Sequence, residues 1–189
     1  MLDFNELCVF GEGFKRGAVR VKFEDHPAFA DRFAILHADK QPAPRLRVHG
    51  TAGSRAYDVV GSTIAMDLVS PRFLTTLRDG GITGWDSLPI DTGTFKPIRG
   101  YELLRVLGRC GQIDNSKSER TIVPPRGGRS VPGWRGIFFD PSSWDGSDVF
   151  GPTGTGYVFL TKRAAQLIQQ MKLSNVSLEP LASVERLVL

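Results

Sequence analysis

The stretch "SPRFLTTLRDGGITGWDSLPI" runs from Ser70 to Ile90, and "TKRAAQLIQQMKLSNVSLEPL" runs from Thr161 to Leu181. Laid without a gap at an offset of 91, Ser70 falls on Thr161 and Arg72 on Arg163. Leu77 falls on Ile168, Thr83 on Ser174 and Pro89 on Pro180. Ser70 is an N-cap residue with Pro71 at the first helical position, where a missing N–H costs nothing. Phe73, Leu74 and Leu77 recur at spacings of three and four, as on one face of a helix. "DGG" (Asp79–Gly81) stops that helix, because glycine accepts a left-handed cap. "ITGWDSLPI" then alternates as a strand does. In the second copy Thr161 is the cap, Ala164, Leu167, Ile168 and Met171 form the apolar stripe, and "LSNVSLEPL" is the strand. Each copy therefore predicts a cap, a short helix, a tight turn and a strand, and the two are expected side by side over one sheet. Chance likeness is the alternative, since this local grammar is common. Two copies are too few for a solenoid.

Working outward, "AVRVKFE" (Ala18–Glu24) alternates as a half-buried strand. "FAILH" and "RLRVH" are short and strand-like, separated by the Pro-rich "ADKQPAPR". "HGTAGSRAYD" reads as a Gly/Ser loop. "GYELLRVLGRCGQID" (Gly100–Asp114) reads as one long apolar strand, "NSKSERTIVPPRGGRSVPGWRG" as hairpin and loop, and "GIFFD" and "GYVFL" as strands. The expected fold is α+β: a largely antiparallel sheet with few short helices and two related helix-strand units. All 189 residues are expected in one domain, with a strand-rich part over about 1–66 and the repeat part over about 67–189.

Hydrophobic residues make up 41% and charged residues 23%, ordinary for a globular chain that buries a core without staples. No stretch approaches the roughly 18 apolar residues of a membrane span, and "MLDFNELCVFGEG" lacks the basic and apolar runs of a signal peptide. Cys8 and Cys110 are far apart and form no CxxC pair. The reading is a cytoplasmic chain with free thiols, and no structural metal or cofactor.

The net charge is +4, and it is uneven. Arg105, Arg109, Lys117, Arg120, Arg126, Arg129 and Arg135 face only Asp114 and Glu119 within 105–135. Such a segment can meet phosphate or an acidic protein; the alternative is a solvated loop with spare arginines. His26, His37 and His49 show no metal-ligand spacing, and neither cysteine sits in a nucleophile elbow. "GPTGTG" (Gly151–Gly156) lacks the Lys-Ser/Thr of a phosphate loop and precedes a strand, so it reads as a hairpin turn. "SSWDGSDVF" (Ser142–Phe150) is denser: Asp145 and Asp148 are candidates for cation or acid–base work, or for shaping the loop through backbone N–H groups, with Trp144 and Phe150 as its anchors. No catalytic constellation emerges, and the chain is not expected to be an enzyme.

"SPRF…GITG", "YELLRVLGRCGQIDNSKS", "WDGSDVF" and the "TKR…KLSNVSLEPL" ending, in that set, resemble a bacterial family of predicted immunity proteins of polymorphic toxin systems, the eleventh such family, formerly a domain of unknown function. The resemblance spans about Leu68 to Leu181 and rests on Ser70, Pro71, Arg72, Asp114, Ser116, Trp144, Gly146, Ser147, Asp148 and Phe150. It implies a cytoplasmic antitoxin that binds a cognate toxin domain and blocks it. Some relatives carry paired CxxCG motifs; this chain has only "RCGQ" at Cys110, so no metal role carries over. Its basic charge favours an acidic toxin. The expected partner-binding residues are Arg126, Arg129, Trp134, Arg135, Trp144, Asp145 and Asp148, with Trp134 between arginines the best anchor. The alternative is a nucleic-acid or nucleotide-binding module using the basic 105–135 segment.

Overall fold

Ser70 and Thr161 cap their helices as their positions predict. Ser70 Oγ accepts from the Phe73 amide at 3.1 Å and Thr161 Oγ1 from the Ala164 amide at 3.4 Å. The computed structural model describes residues 2–24, 29–40, 46–123 and 130–187. Among them are fourteen strands in three mostly antiparallel sheets and three short α-helices. The strands are β1 (Cys8–Glu12), β2 (Arg20–Phe23), β3 (Val48–Ala52), β4 (Val59–Ser62), β5 (Leu68–Val69), β6 (Trp85–Pro89), β7 (Glu102–Val106), β8 (Gly108–Cys110), β9 (Glu119–Val123), β10 (Val131–Arg135), β11 (Val149–Pro152), β12 (Val158–Leu160), β13 (Val176–Pro180) and β14 (Glu185–Leu187). The helices are α1 (Phe29–Leu36), α2 (Pro71–Asp79) and α3 (Lys162–Gln170).

The quoted stretches fold alike. α2 buries Phe73, Leu74 and Leu77, and α3 buries Ala164, Ala165 and Ile168. Each ends with the same paired turn bonds, Gly80 to Thr76 and Ile82 to Leu77 in one, Met171 to Leu167 and Leu173 to Ile168 in the other. The residue after each cap is left-handed: Gly81 at φ 60° and Lys172 at φ 50°. Lysine occupies without glycine's freedom a conformation that costs about 1 kcal/mol.

The two helix-strand units do not share one sheet. The six-stranded sheet runs β3-β2-β4-β5-β7-β6 and the five-stranded sheet β13-β1-β12-β11-β8. Beyond β3 the two correspond strand for strand. β4 meets β5 antiparallel and β2 parallel, as β11 meets β12 antiparallel and β8 parallel. β7 lies between β5 and β6, and β1 between β12 and β13. The first strand of each half is thus lent to the sheet of the other: β1 pairs with late strands, and β7 with strands that precede it.

This exchange explains a departure from the sequence reading. The apolar run Gly100–Asp114 is two strands, not one. The chain breaks at Leu107 because the Gly84 carbonyl takes the amides of both Leu107 and Gly108, at 2.8 and 3.0 Å. A side chain on Gly108 would meet the Val149 carbonyl at 2.3 Å, so only glycine lets the strand cross into the second sheet. "FAILH" is helical in α1, following its spacing of three and four rather than two, with Ile35 and Leu36 buried. "GIFFD" is extended but unpaired as a strand; Ile137 and Phe139 are fully buried, and the Ile137 amide bonds Leu181. β3 begins within "RLRVH", read as strand-like, and runs on to Ala52 in the stretch read as a loop; it pairs with β2. "GPTGTG" does turn between the antiparallel β11 and β12.

The central core is shared. Phe10, Val59, Val69, Phe73, Leu77, Leu104, Val149, Leu160, Ala164 and Ile168 form one apolar cluster from both halves. Two carboxylates close it reciprocally. Asp58 accepts from Ser70 Oγ, Ser174 N and Ser174 Oγ, each at 2.8 Å, and from Arg72 at 3.1 Å. Asp148 accepts from Thr161 Oγ1 at 2.8 Å, from Thr83 N and Oγ1 at 3.1 Å, and from Arg163 at 2.7 Å. Each Asp holds the N-cap of its own helix and the turn after the other helix. Each arginine also bonds a carbonyl at the far helix's end, Arg72 to Met171 and Arg163 to Gly80, which satisfies groups a helix C-terminus leaves open.

Candidate partner-binding surface

Comparison of the halves isolates one element. Between β2 and β4 the first half inserts α1 and β3. Between β8 and β11 the second inserts β9 and β10, which form a three-stranded sheet with β14 in the order β14-β10-β9. Among the described residues this sheet has no counterpart in the first half.

Its register sorts its side chains. Trp134 is opposite Arg120 and Arg186, and Pro132 opposite Ile122, so these five share one face. Arg135 is opposite Glu119 and Glu185 on the other face, and pairs with them at 3.5 and 2.9 Å. On the first face the Arg120 guanidinium lies 5.4 Å from the Trp134 ring centroid, a cation–π contact. Ile122 is 61% exposed, and a groove of about 470 Å³ runs along Arg120, Ile122, Pro132 and Trp134. Arg186 donates to Asn115 Oδ1 at 2.5 Å and Ser118 Oγ at 3.2 Å, while its Nε is buried without a partner. Among the described residues neither Arg120 nor Arg186 has a carboxylate within ion-pair distance. Burial lowers the pKa of Arg186, the direction expected of a cation lacking a counter-charge.

The sequence-predicted residues separate into two places. Trp134 and Arg135 sit on β10, on opposite faces. Arg126 and Arg129 lie outside the described residues. Trp144, Asp145 and Asp148 lie together elsewhere, on the loop entering β11. The Trp144 ring rests on Phe150, centroids 5.3 Å apart, and its Nε1 donates to the Ser147 carbonyl. Asp145 accepts from the Arg109 amide at 2.8 Å and the Ser147 amide at 3.0 Å. Burial pushes its carboxyl up, but these amides outweigh burial and hold it below the usual range. Asp148 is committed to the reciprocal contact with α3. Asp114 and Ser116, which also carry the family resemblance, close a turn on each other at 2.6 Å. Ile122, Pro132 and Arg186 were not singled out from sequence, and Arg120 only as one of the basic residues of 105–135. The stretch holding Ile122 reads as hairpin and loop, and only the strand register shows it beside Trp134.

A second concavity of about 500 Å³ lies between the two sheets, lined by Phe10, Leu36, Leu104 and Val158, with Glu12, Asp67 and Arg20 at its polar side. Arg20 pairs with Glu12 at 3.3 Å. Burial, and then the Glu12 carboxylate, push Asp67 up to about 7. Burial also pushes the Cys110 thiol up to about 12, so it is protonated at neutral pH. Among the described residues no three His, Cys, Asp or Glu side chains converge as metal ligands, and no helix is long and apolar enough to cross a membrane.

No family model matches the chain, and no curated protein matches it.

Proposed function

We propose that this chain is a cytoplasmic immunity protein of a bacterial polymorphic toxin system, which neutralises one toxin domain by binding it one-to-one and performs no chemistry of its own. In this reading the two halves are copies of one unit. The helix-strand core they share is scaffold, and the β9–β10–β14 sheet is the device the second copy carries. The observation that carries the reading is the composition of that sheet's open face. Ile122 is largely exposed, Trp134 is shielded on one side by Arg120, and Pro132 lies between them in the groove. Tryptophan and arginine around an exposed aliphatic are the residue types that dominate protein interfaces. The ordered motif set resembling the immunity family agrees with it.

The test is co-expression with the toxin domain encoded beside this chain. Wild type should restore growth and co-purify as a one-to-one complex. The double variant Ile122→Asp, Trp134→Ala should fold yet fail to protect, with affinity reduced at least about a hundredfold, since two central interface truncations cost about 2 kcal/mol or more each. Protection at wild-type strength by that variant would overturn the assignment of the surface. Failure of wild type to protect would overturn the function. A steep linear fall of log affinity with log salt for an oligonucleotide would favour nucleic-acid binding instead.

A further inference from the structure

We infer that β9 is a docking edge, and that its occupant is an extended, acidic segment of the partner protein added to the sheet as a fourth strand. The inference rests on the reading of this chain as a protein-binding module and specifies what that module recognises.

Sheet edges are open templates unless something covers or repels at them. Most edges in this fold are managed. Beside β3, the Asp91 amide bonds the Leu46 carbonyl and the Val48 amide bonds the Asp91 carbonyl, each at 2.9 Å. The Asp145 carboxylate and carbonyl-directed amide cover β8 at Arg109. β6 and β13 both end in proline, which cannot donate to an added strand, and β13 carries Glu179, which repels an acidic strand. β9 is an end strand of its sheet, five residues long, with no strand on its outer side among the described residues.

The chemistry of its face selects the occupant. Arg120 projects from β9 itself, and Arg186 from the same face two strands away. Neither has a carboxylate partner among the described residues. The sheet's own acids, Glu119 and Glu185, lie on the opposite face and are taken by Arg135. An incoming strand that alternates acidic and apolar residues would set its acids beside Arg120, with backbone bonds to β9 supplying affinity and alternate side chains supplying selectivity. Apolar residues on the same face would extend over Ile122 and Trp134.

The experiment needs no toxin. A library of random displayed peptides is selected against the immobilised full chain, and the consensus peptide is synthesised. The expected consensus alternates Asp or Glu with Val, Ile or Phe. Adding it should shift the backbone amide resonances of Glu119–Val123 and slow their hydrogen exchange. R120E should weaken binding at least about tenfold, R120K by less than about threefold, and R120E should regain affinity for the peptide with its acids changed to Lys. Thermal melts confirm that each variant folds. A consensus without acids, shifts confined to other edges, or no charge-swap rescue would overturn the inference. So would a dimer of the chain itself that Ile122→Asp dissolves, because the occupant would then be a second copy.

Discussion

Replacing Asp58 with Ala tests whether the two halves are held together where the reciprocal contacts place the load. The Asp58 side chain is 8% exposed and receives four donors. Losing it strands the Ser174 amide, a penalty of about 1–3 kcal/mol for a buried donor. The Ser70 and Ser174 hydroxyls rotate to other acceptors and lose about 1 kcal/mol between them. Arg72 is 54% exposed, so its share is under about 1 kcal/mol. The expected cost is about 3–4 kcal/mol, read by urea unfolding followed by far-UV circular dichroism, at an unchanged m-value. Asp58→Asn should cost nearly as much, since its amide turns a donor toward Arg72 and Ser174. Burial pushes the Asp58 carboxyl up, but the Ser174 amide, the two serine hydroxyls and Arg72 outweigh burial and hold it below its usual range. A depressed folded pKa stabilises fully above the unfolded value near 3.9 and loses that stabilisation as pH falls through the folded value. The difference between wild type and variant should therefore shrink below about pH 4. A cost under about 1 kcal/mol at pH 7 would refute the reasoning, since it is less than the stranded amide alone should produce.

Leu77→Ala and Ile168→Ala should each cost about 2–5 kcal/mol, because the two are 1% and 2% exposed at matching places in one core; thermal melts showing less than about 1 kcal/mol at both would contradict that packing. Asp67 has the opposite sign to Asp58. Its folded pKa, about 7, lies above the unfolded value, so the folded state holds an extra proton between about pH 4 and 7 and loses stability as pH rises through that window. Asp67→Asn should therefore flatten the decline and raise stability by about 1–3 kcal/mol at pH 8, with little change at pH 4; equal effects at both would show that this carboxyl is not desolvated as described.

α2 and α3 were legible because their determinants are local: Ser70, Pro71 and the Phe73–Leu77 spacing act within one turn; α1, whose "FAILH" reads as strand-like, was not. The full extent of the repeat was hidden by one residue. "DVVG" from Asp58 matches "DVFG" from Asp148 at an offset of 90, and a single insertion before Thr161 shifts the later alignment to 91. The sheets were not legible, because nothing near β1 in sequence says that it pairs with β12 and β13. The same limit applied at the surface. Trp134 stands out in any reading, whereas Arg120 and Ile122 acquire meaning only when β9 is set in register with β10. "WDGSDVF" drew attention by its density of polar groups, and the structure commits Asp145 to the Arg109 and Ser147 amides and Asp148 to Thr83, Thr161 and Arg163.

The exchange of β1 and β7 sets a schedule for synthesis. The six-stranded sheet is complete once Val106 has left the ribosome, but β1 stays unpaired until Leu160 follows, and it gains its second neighbour only with Pro180. At about 5–20 residues per second, the chain between Val106 and Leu160 leaves that apolar strand waiting for roughly 3–11 seconds more. Two nascent chains on one message would each hold a strand that fits the other's unfinished sheet, so the same feature that locks a finished molecule invites unfinished neighbours to entangle. Crowded translation should accordingly yield interlocked pairs that dissociate only by unfolding.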